Sequence, residues 1–217
     1  MKLVNPFKLK EQGIIEAYKY FDKHIRKLTR NKNGEIDQFA DGLVDNDVDA
    51  FRHAYTSGVF TQELGEVQSR IYGYLQELDG NYGSSTADEE ASRNMDFWNN
   101  DVGIRYGKKT KSREELLELI HKALNNGELI IDLRDSRLYE GQTHYPIDPE
   151  KSVIVFEETK TGRNVTFVDL ATEAVMTRES FVEKIKSGQY PGYTVASIDR
   201  IVTPVSKADS TTANNLG

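Results

Sequence analysis

Apolar side chains recur at three- and four-residue spacing from the start of the chain. Ile14, Tyr18, Phe21 and Ile25 follow this period and predict an amphipathic helix over residues 9–29. Asn31–Gly34 is a break. The helical period returns from about Asp47 to Leu64, with Val48, Phe51, Tyr55 and Val59 as one stripe, and Gly65 interrupts it. A further helical run reaches about Leu78, and Asp79–Ser85 reads as a loop. Ser85 or Thr86, followed by Asp88, Glu89 and Glu90, marks the start of a helix running to about Tyr106, with Gly107 as its stop. Ser112 with Glu115 is a capping box that opens a helix over 113–125, ending at Asn126-Gly127.

The pattern changes after Gly127. Leu129–Leu133 is short and apolar, as in a strand. Residues 134–151 show little periodicity. Ser152–Glu157 and Asn164–Asp169 read as strands around a Thr161-Gly162 turn. Thr177–Ser187 reads as a helix stopped by Gly188, and Val195–Val202 as a last strand. The expected class is α+β: a mainly helical N-terminal bundle over 1–150, with a small α+β module over 151–217. The boundary is expected near 145–151. There is no internal repeat.

Composition narrows the function classes. The chain has 217 residues and no cysteine, which removes disulfides, thiolate nucleophiles and Cys-ligated metal sites. No apolar run approaches the ~18 residues of a membrane helix, so no transmembrane segment is expected. The start lacks the long apolar core of an ordinary signal peptide. The net charge is −7. The acidic excess lies in the first 150 residues, concentrated at 37–50 and 75–101. An acidic middle repels phosphate backbones, so nucleic acid is not an expected partner. Phosphate-binding loops, the serine-hydrolase elbow and the paired-histidine zinc helix are all missing from the sequence.

Two segments carry candidate chemistry. In the first, His53 lies opposite the apolar stripe, sharing its side with Asp49 and Thr56. Asp49 and His53 are four apart, close enough for a carboxylate to orient an imidazole as a general base or metal ligand. A surface Asp–His pair, or a histidine hydrogen-bonded within a bundle, fits the same spacing. In the second, Glu89, Ser92, Asp96, Asn99, Asn100 and Gly103 gather on one helical face between two apolar flanks. That predicts a polar cluster buried between helices, in need of partners. His53, Arg52, a metal or a substrate can supply them, and so can a purely structural network. Gly103 in mid-helix permits a close approach of another backbone or a ligand. His24 and His121 read as structural, whereas His144 sits in a loop that can cover a site.

Asp49-Ala-Phe-Arg-His-Ala-Tyr55 and Asp96-Phe-Trp-Asn-Asn-Asp-Val-Gly103 together resemble the marks of an uncharacterised bacterial domain family. Its motifs are an Arg-His-Ala helix and an Asp-x-x-Asn-Asn-x-x-Gly helix, found in toxin-like or surface proteins. The resemblance covers roughly residues 40–130. In the family pattern a His-Glu pair lies between the motifs. The nearest match here is Gln76-Glu77, which weakens a two-histidine metal site and leaves His53, Glu77 and Asp96 as the acidic-imidazole set. The tail, from Thr177 onward, resembles a second small module of unknown role and contributes no site residue.

The resemblance implies a hydrolase-like effector or toxin acting on cell-envelope material, lipid or peptidoglycan. The alternative is a non-catalytic helical binding or structural module of a phage or secretion system. The expected catalytic set is His53, Asp96, Glu77 and Asp49, with Arg52, Asn99 and Asn100 holding substrate. A divalent cation is a candidate cofactor. An envelope substrate and a cognate inhibitor protein are candidate partners. The protein is expected to be made in the cytoplasm and exported by a specialised secretion system. One further pattern, Thr29–Ala40, echoes a calcium loop but lacks an acid at its first and last positions, and reads as an Asn-Gly turn.

Overall fold

A computed structural model describes residues 6–38, 40, 42–76, 86–141, 151–159, 162–169, 171–172, 174–208 and 216. Its order is α1 (Pro6–His24), α2 (Asp47–Leu64), α3 (Glu66–Gln76), α4 (Ala87–Gly107), α5 (Arg113–Asn125), β1 (Val153–Glu158), β2 (Asn164–Asp169), β3 (Ala174–Thr177), α6 (Arg178–Lys186), β4 (Tyr193–Ile198) and β5 (Ile201–Ser206). The class is α+β, with helices first and small antiparallel sheets after. The chain divides into two compact units, one formed by Val4–Thr143 and the other built around His144–Gly217.

In the first unit α2 is the hub, packed by α1, α3, α4 and α5. Its composition explains this position. Phe51, Tyr55 and Val59 bury one side, while Ala50, Ala54 and Gly58 keep the others thin enough for neighbours to approach. The helix starts where the Asn46 side chain accepts from Val48 N and Asp49 N, satisfying two amides that the helix cannot. α4 begins with a full capping box between Thr86 and Glu89. Ser112 caps α5 through Glu115 N.

The α2–α4 crossing is tight because glycine stands on both helices. A Cβ built on Gly103 would lie 1.9 Å from the Ala54 carbonyl oxygen, and one on Gly107 would lie 2.5 Å from that of Gly58. Gly103 is therefore where the two backbones touch, and it holds the facing side chains one to two turns earlier in register. Phe21 and Phe51 meet edge-on at 5.6 Å beneath α1. Losing a buried ring such as Phe51 costs about 3–5 kcal/mol. His24 stacks on Tyr20 at 4.4 Å, and the Tyr20 hydroxyl lies 3.2 Å from His121 Nδ1.

Two expected elements of the helical unit differ, and a third expectation, the Asn-Gly turn, is met. α1 ends at His24 and not at 29. The buried Asp22 carboxylate takes the Leu28 amide at 2.9 Å, which turns the chain out of the helix. The apolar run 129–133 is an irregular segment, not a strand. Its burial comes from packing, and its backbone is satisfied by side chains: Ile130 exchanges both backbone bonds with the Asn99 amide, and Leu129 O accepts from Arg137. The calcium-like stretch is a turn. Asn31 Oδ1 accepts from Asn33 N and Glu35 N, and Gly34 takes φ 80°.

In the second unit β1-β2-β3 form one antiparallel sheet and β4-β5 a hairpin. Val153, Phe167, Met176, Phe181, Tyr193 and Leu216 make its core. The single expected strand 195–202 is two strands. Asp199 and Arg200 turn the chain with φ 50° and 65°, a two-residue hairpin turn built without glycine. Asp169 is buried at the end of β2 and accepts from Ser152 Oγ, Ala171 N, Thr172 Oγ1 and Tyr190 Oη.

Candidate functional site

The α2–α4 crossing places His53 against Asp96 and Asn100. α2 presents Asp49, Arg52, His53 and Ser57 from successive turns, and α4 presents Asp96 and Asn100 one turn apart. His53 Nε2 lies 3.2 Å from Asp96 Oδ1 and 3.7 Å from Asp49 Oδ1. The site is nearly closed: side-chain exposure is 11% for His53, 11% for Asp96 and 3% for Asp49.

The Arg52 and Asn100 contacts correspond to the Nδ1-protonated tautomer. Arg52 can only donate, and its Nη2 lies 2.7 Å from His53 Nε2, so Nε2 accepts. The ring proton then sits on Nδ1, which donates to Asn100 Oδ1 at 3.3 Å. Ser57 Oγ donates to the same oxygen at 2.7 Å and holds the amide in place. Ser69 of α3 and Thr61 both donate to the Ser57 carbonyl at 2.8 Å. This shell makes the imidazole orientation a property of three helices.

Electrostatics keep that ring neutral. Burial, then the adjacent Arg52 guanidinium, push the His53 pKa well below its usual value; the Asn100 hydrogen bond opposes them, and Lys10 adds to the depression. A neutral imidazole is the form that takes a proton or binds a metal. Arg52 remains charged, since the Asp49 carboxylate and its hydrogen bonds outweigh burial and raise its pKa.

Beside His53 a cavity of about 50 Å³ opens between α1, α2, α3 and α4. Lys10, Arg52 and Asn100 give it polar walls, and Ile14, Phe60 and Tyr72 give it apolar ones. Thr56, also in its lining, has a buried Oγ1 with no hydrogen-bond partner among the described residues.

The structure brings His53, Asp49, Arg52, Asp96 and Asn100 together. It does not bring Asn99, whose buried amide is spent on the Ile130 backbone at 2.9 and 3.0 Å. Asn99 fixes the 129–131 segment to α4. Glu77 and His144 lie outside the described residues. The role of Asp49 also differs from the expected one. Its Oδ1 is taken by Arg52 Nε and Nη2 and its Oδ2 by the Asp45 amide. The ring is therefore held by Asn100, while Asp49 holds Arg52. Arg52 itself points inward to His53, not outward to a ligand. Ser57, Ser69 and Lys10 are additions. Ser57 follows His53 by four residues, a spacing that places both on one face; Ser69 and Lys10 reach the site only through tertiary packing.

Among the described residues, Asp49, His53 and Asp96 form a group able to hold a metal ion, with one ligand atom from each and all three within 4.8 Å of one another. No helix among the described residues is long and apolar enough to cross a membrane.

No curated protein and no solved structure matches the chain. A family model does match, and it spans α2, α4 and every described residue of the site. By that match over residues 10–128, more than half of the 217, the chain belongs to the family described as Domain of unknown function (DUF6973).

Proposed function

We propose that the helical unit is a hydrolase-like effector domain of bacterial origin, acting on cell-envelope lipid or peptidoglycan after export from the producing cell. The observation that carries this reading is the convergence of His53 Nε2 with the Asp96 and Asp49 carboxylates in a nearly closed site. Three electron-pair donors facing one point suit the capture and activation of a water. The orientation of His53 is fixed beforehand by Asn100, so little reorganisation accompanies the chemistry. Arg52 is the movable member: its 22% exposed side chain has to leave Nε2 before that nitrogen can act. The resemblance to domains in toxin-like proteins supports the effector role, and a cognate inhibitor protein then protects the producer.

One observation favours a second reading. Arg52 already bridges Asp49 and His53, which suits a non-catalytic module whose polar residues lock the helices. Expression in the bacterial cytoplasm, and in the periplasm with an added export signal, separates the two. The hydrolase reading expects killing in one compartment, lost in a His53→Ala variant shown to be folded by circular dichroism. Equal survival in both compartments supports the structural module, and killing by the folded variant overturns the His53 chemistry.

A further inference from the structure

We infer that Asp49, His53 and Asp96 form a binding site for one divalent transition-metal ion of the Zn²⁺ or Mn²⁺ kind, entered by displacing the Arg52 guanidinium. The inference deepens the hydrolase reading by naming what would hold the water, and for its biological purpose rests on that reading. Binding itself is measured separately.

The geometry points to a cation. Metal–ligand bonds of about 2.0–2.2 Å put neighbouring ligand atoms roughly 3–3.6 Å apart. His53 Nε2 is 3.2 Å from Asp96 Oδ1 and 3.7 Å from Asp49 Oδ1, and each of the three residues offers one ligand atom within 4.8 Å of the other two. Shifts of a few tenths of an ångström bring the first two pairs onto a metal. The ligands stand on α2 and α4, whose backbones touch at Gly103, so the site is carried by rigid elements.

A positive group already occupies the point of convergence. Arg52 Nη2 touches both His53 Nε2 and Asp49 Oδ1. A guanidinium brings one charge to two carboxylates. A divalent ion in its place brings two, and leaves Arg52 to extend along its partly exposed path. Lys10, the other cation near His53, is one of the residues lining the cavity beside it.

The donor set selects the metal. Calcium takes six to eight oxygens and magnesium keeps an all-oxygen octahedron, whereas an imidazole with two carboxylates suits zinc or manganese. With no cysteine in the chain, no thiolate draws the metal elsewhere.

The test uses the full chain and Zn²⁺ alone. Long-range ¹H–¹⁵N spectra of the wild type resolve each histidine ring. One equivalent of Zn²⁺ is expected to move His53 Nε2 while Nδ1 keeps its proton, with His24, His121 and His144 unchanged. Calorimetry is expected to show 1:1 binding that is lost in Asp96→Asn. It should tighten by roughly tenfold or more in Arg52→Met, which keeps the side-chain bulk and removes the competitor. If excess Zn²⁺ leaves His53 unmoved, moves a different histidine, or binds Asp96→Asn as well as wild type, the site is not a metal site. The wild-type spectra decide the matter even where Arg52→Met fails to fold. Zinc binding without compartment-specific killing overturns the hydrolase reading and keeps the cation site; killing without zinc binding does the reverse.

Discussion

Gly103→Ala is the most informative single change to the helical unit. The added Cβ would lie 1.9 Å from the Ala54 carbonyl oxygen, 2.7 Å from its carbon and 2.9 Å from its Cα. Raising the first contact from 1.9 Å to an ordinary 3.4 Å parts α2 and α4 by about 1.5 Å. The obstacle is backbone on a second helix, so no side-chain rotation relieves it. Overpacking of this kind costs typically about 1–3 kcal/mol and occasionally more, and a fixed backbone contact belongs at the upper end. Replacing a mid-helix glycine by alanine returns about 1 kcal/mol. The expected net loss is about 2 kcal/mol or more. Urea unfolding followed by the fluorescence of Trp98, the only tryptophan, reads the helical unit directly. Trp98 lies on α4 with its ring nitrogen donating to Glu128 O at 2.8 Å. Gly13→Ala is the control. Its Cβ would meet Thr56 Cγ2 at 3.4 Å, an ordinary contact, so the helix-propensity gain of up to about 1 kcal/mol should survive. If Gly103→Ala is as stable as wild type, the close crossing is wrong, and with it the register that brings His53 to Asp96.

Other outcomes follow from the same contacts. Thr56→Val removes a buried hydroxyl with no partner among the described residues, so it should be neutral or stabilising by up to about 1 kcal/mol in the same urea assay. Asn99→Ala should leave killing intact while loosening residues 129–131, seen as faster amide exchange at Ile130, because Asn99 serves that segment and not the site. In the second unit burial raises the Asp169 pKa, but bonds from Ser152, Thr172, Tyr190 and Ala171 outweigh it and leave the pKa below 3.8. Its stabilisation is therefore present above the unfolded-state value and lost as pH falls through the lowered folded value. Acid unfolding of the wild type should steepen below about pH 4, and Asp169→Asn should flatten that dependence.

Much of the helical unit was legible because its signals are local. Thr86 and Ser112 announce their helices through side-chain caps three residues long, and α2 follows from a repeated apolar period. The polar stripe of α4 between apolar flanks foretold a buried cluster, and Asp96, Asn99 and Asn100 are buried. What stayed hidden depends on distant partners. Asn99 bonds a residue 31 positions away, so an apolar run that resembles a strand is a loop held by the Asn99 amide and by Arg137. Arg52 is adjacent to His53 in sequence, yet its inward turn onto Asp49 and Nε2 is decided by the packing around α2. The β4–β5 hairpin carries no local sequence signal because Asp199 and Arg200 adopt positive φ without the glycine that usually marks such a turn. Asp22 ends α1 by capturing an amide six residues on, a termination that no breaker residue advertises.

Hydrolysis of envelope material by the His53 cluster is the activity proposed for the helical unit. Incubating the purified 217-residue chain with phospholipid vesicles and with isolated peptidoglycan, each with added Zn²⁺ or Mn²⁺, measures this activity as the release of fatty acid or soluble fragments. Release is expected from one of the two substrates, lowered at least about 100-fold in a folded His53→Ala variant. No release from either substrate, or equal release by the folded variant, would contradict it.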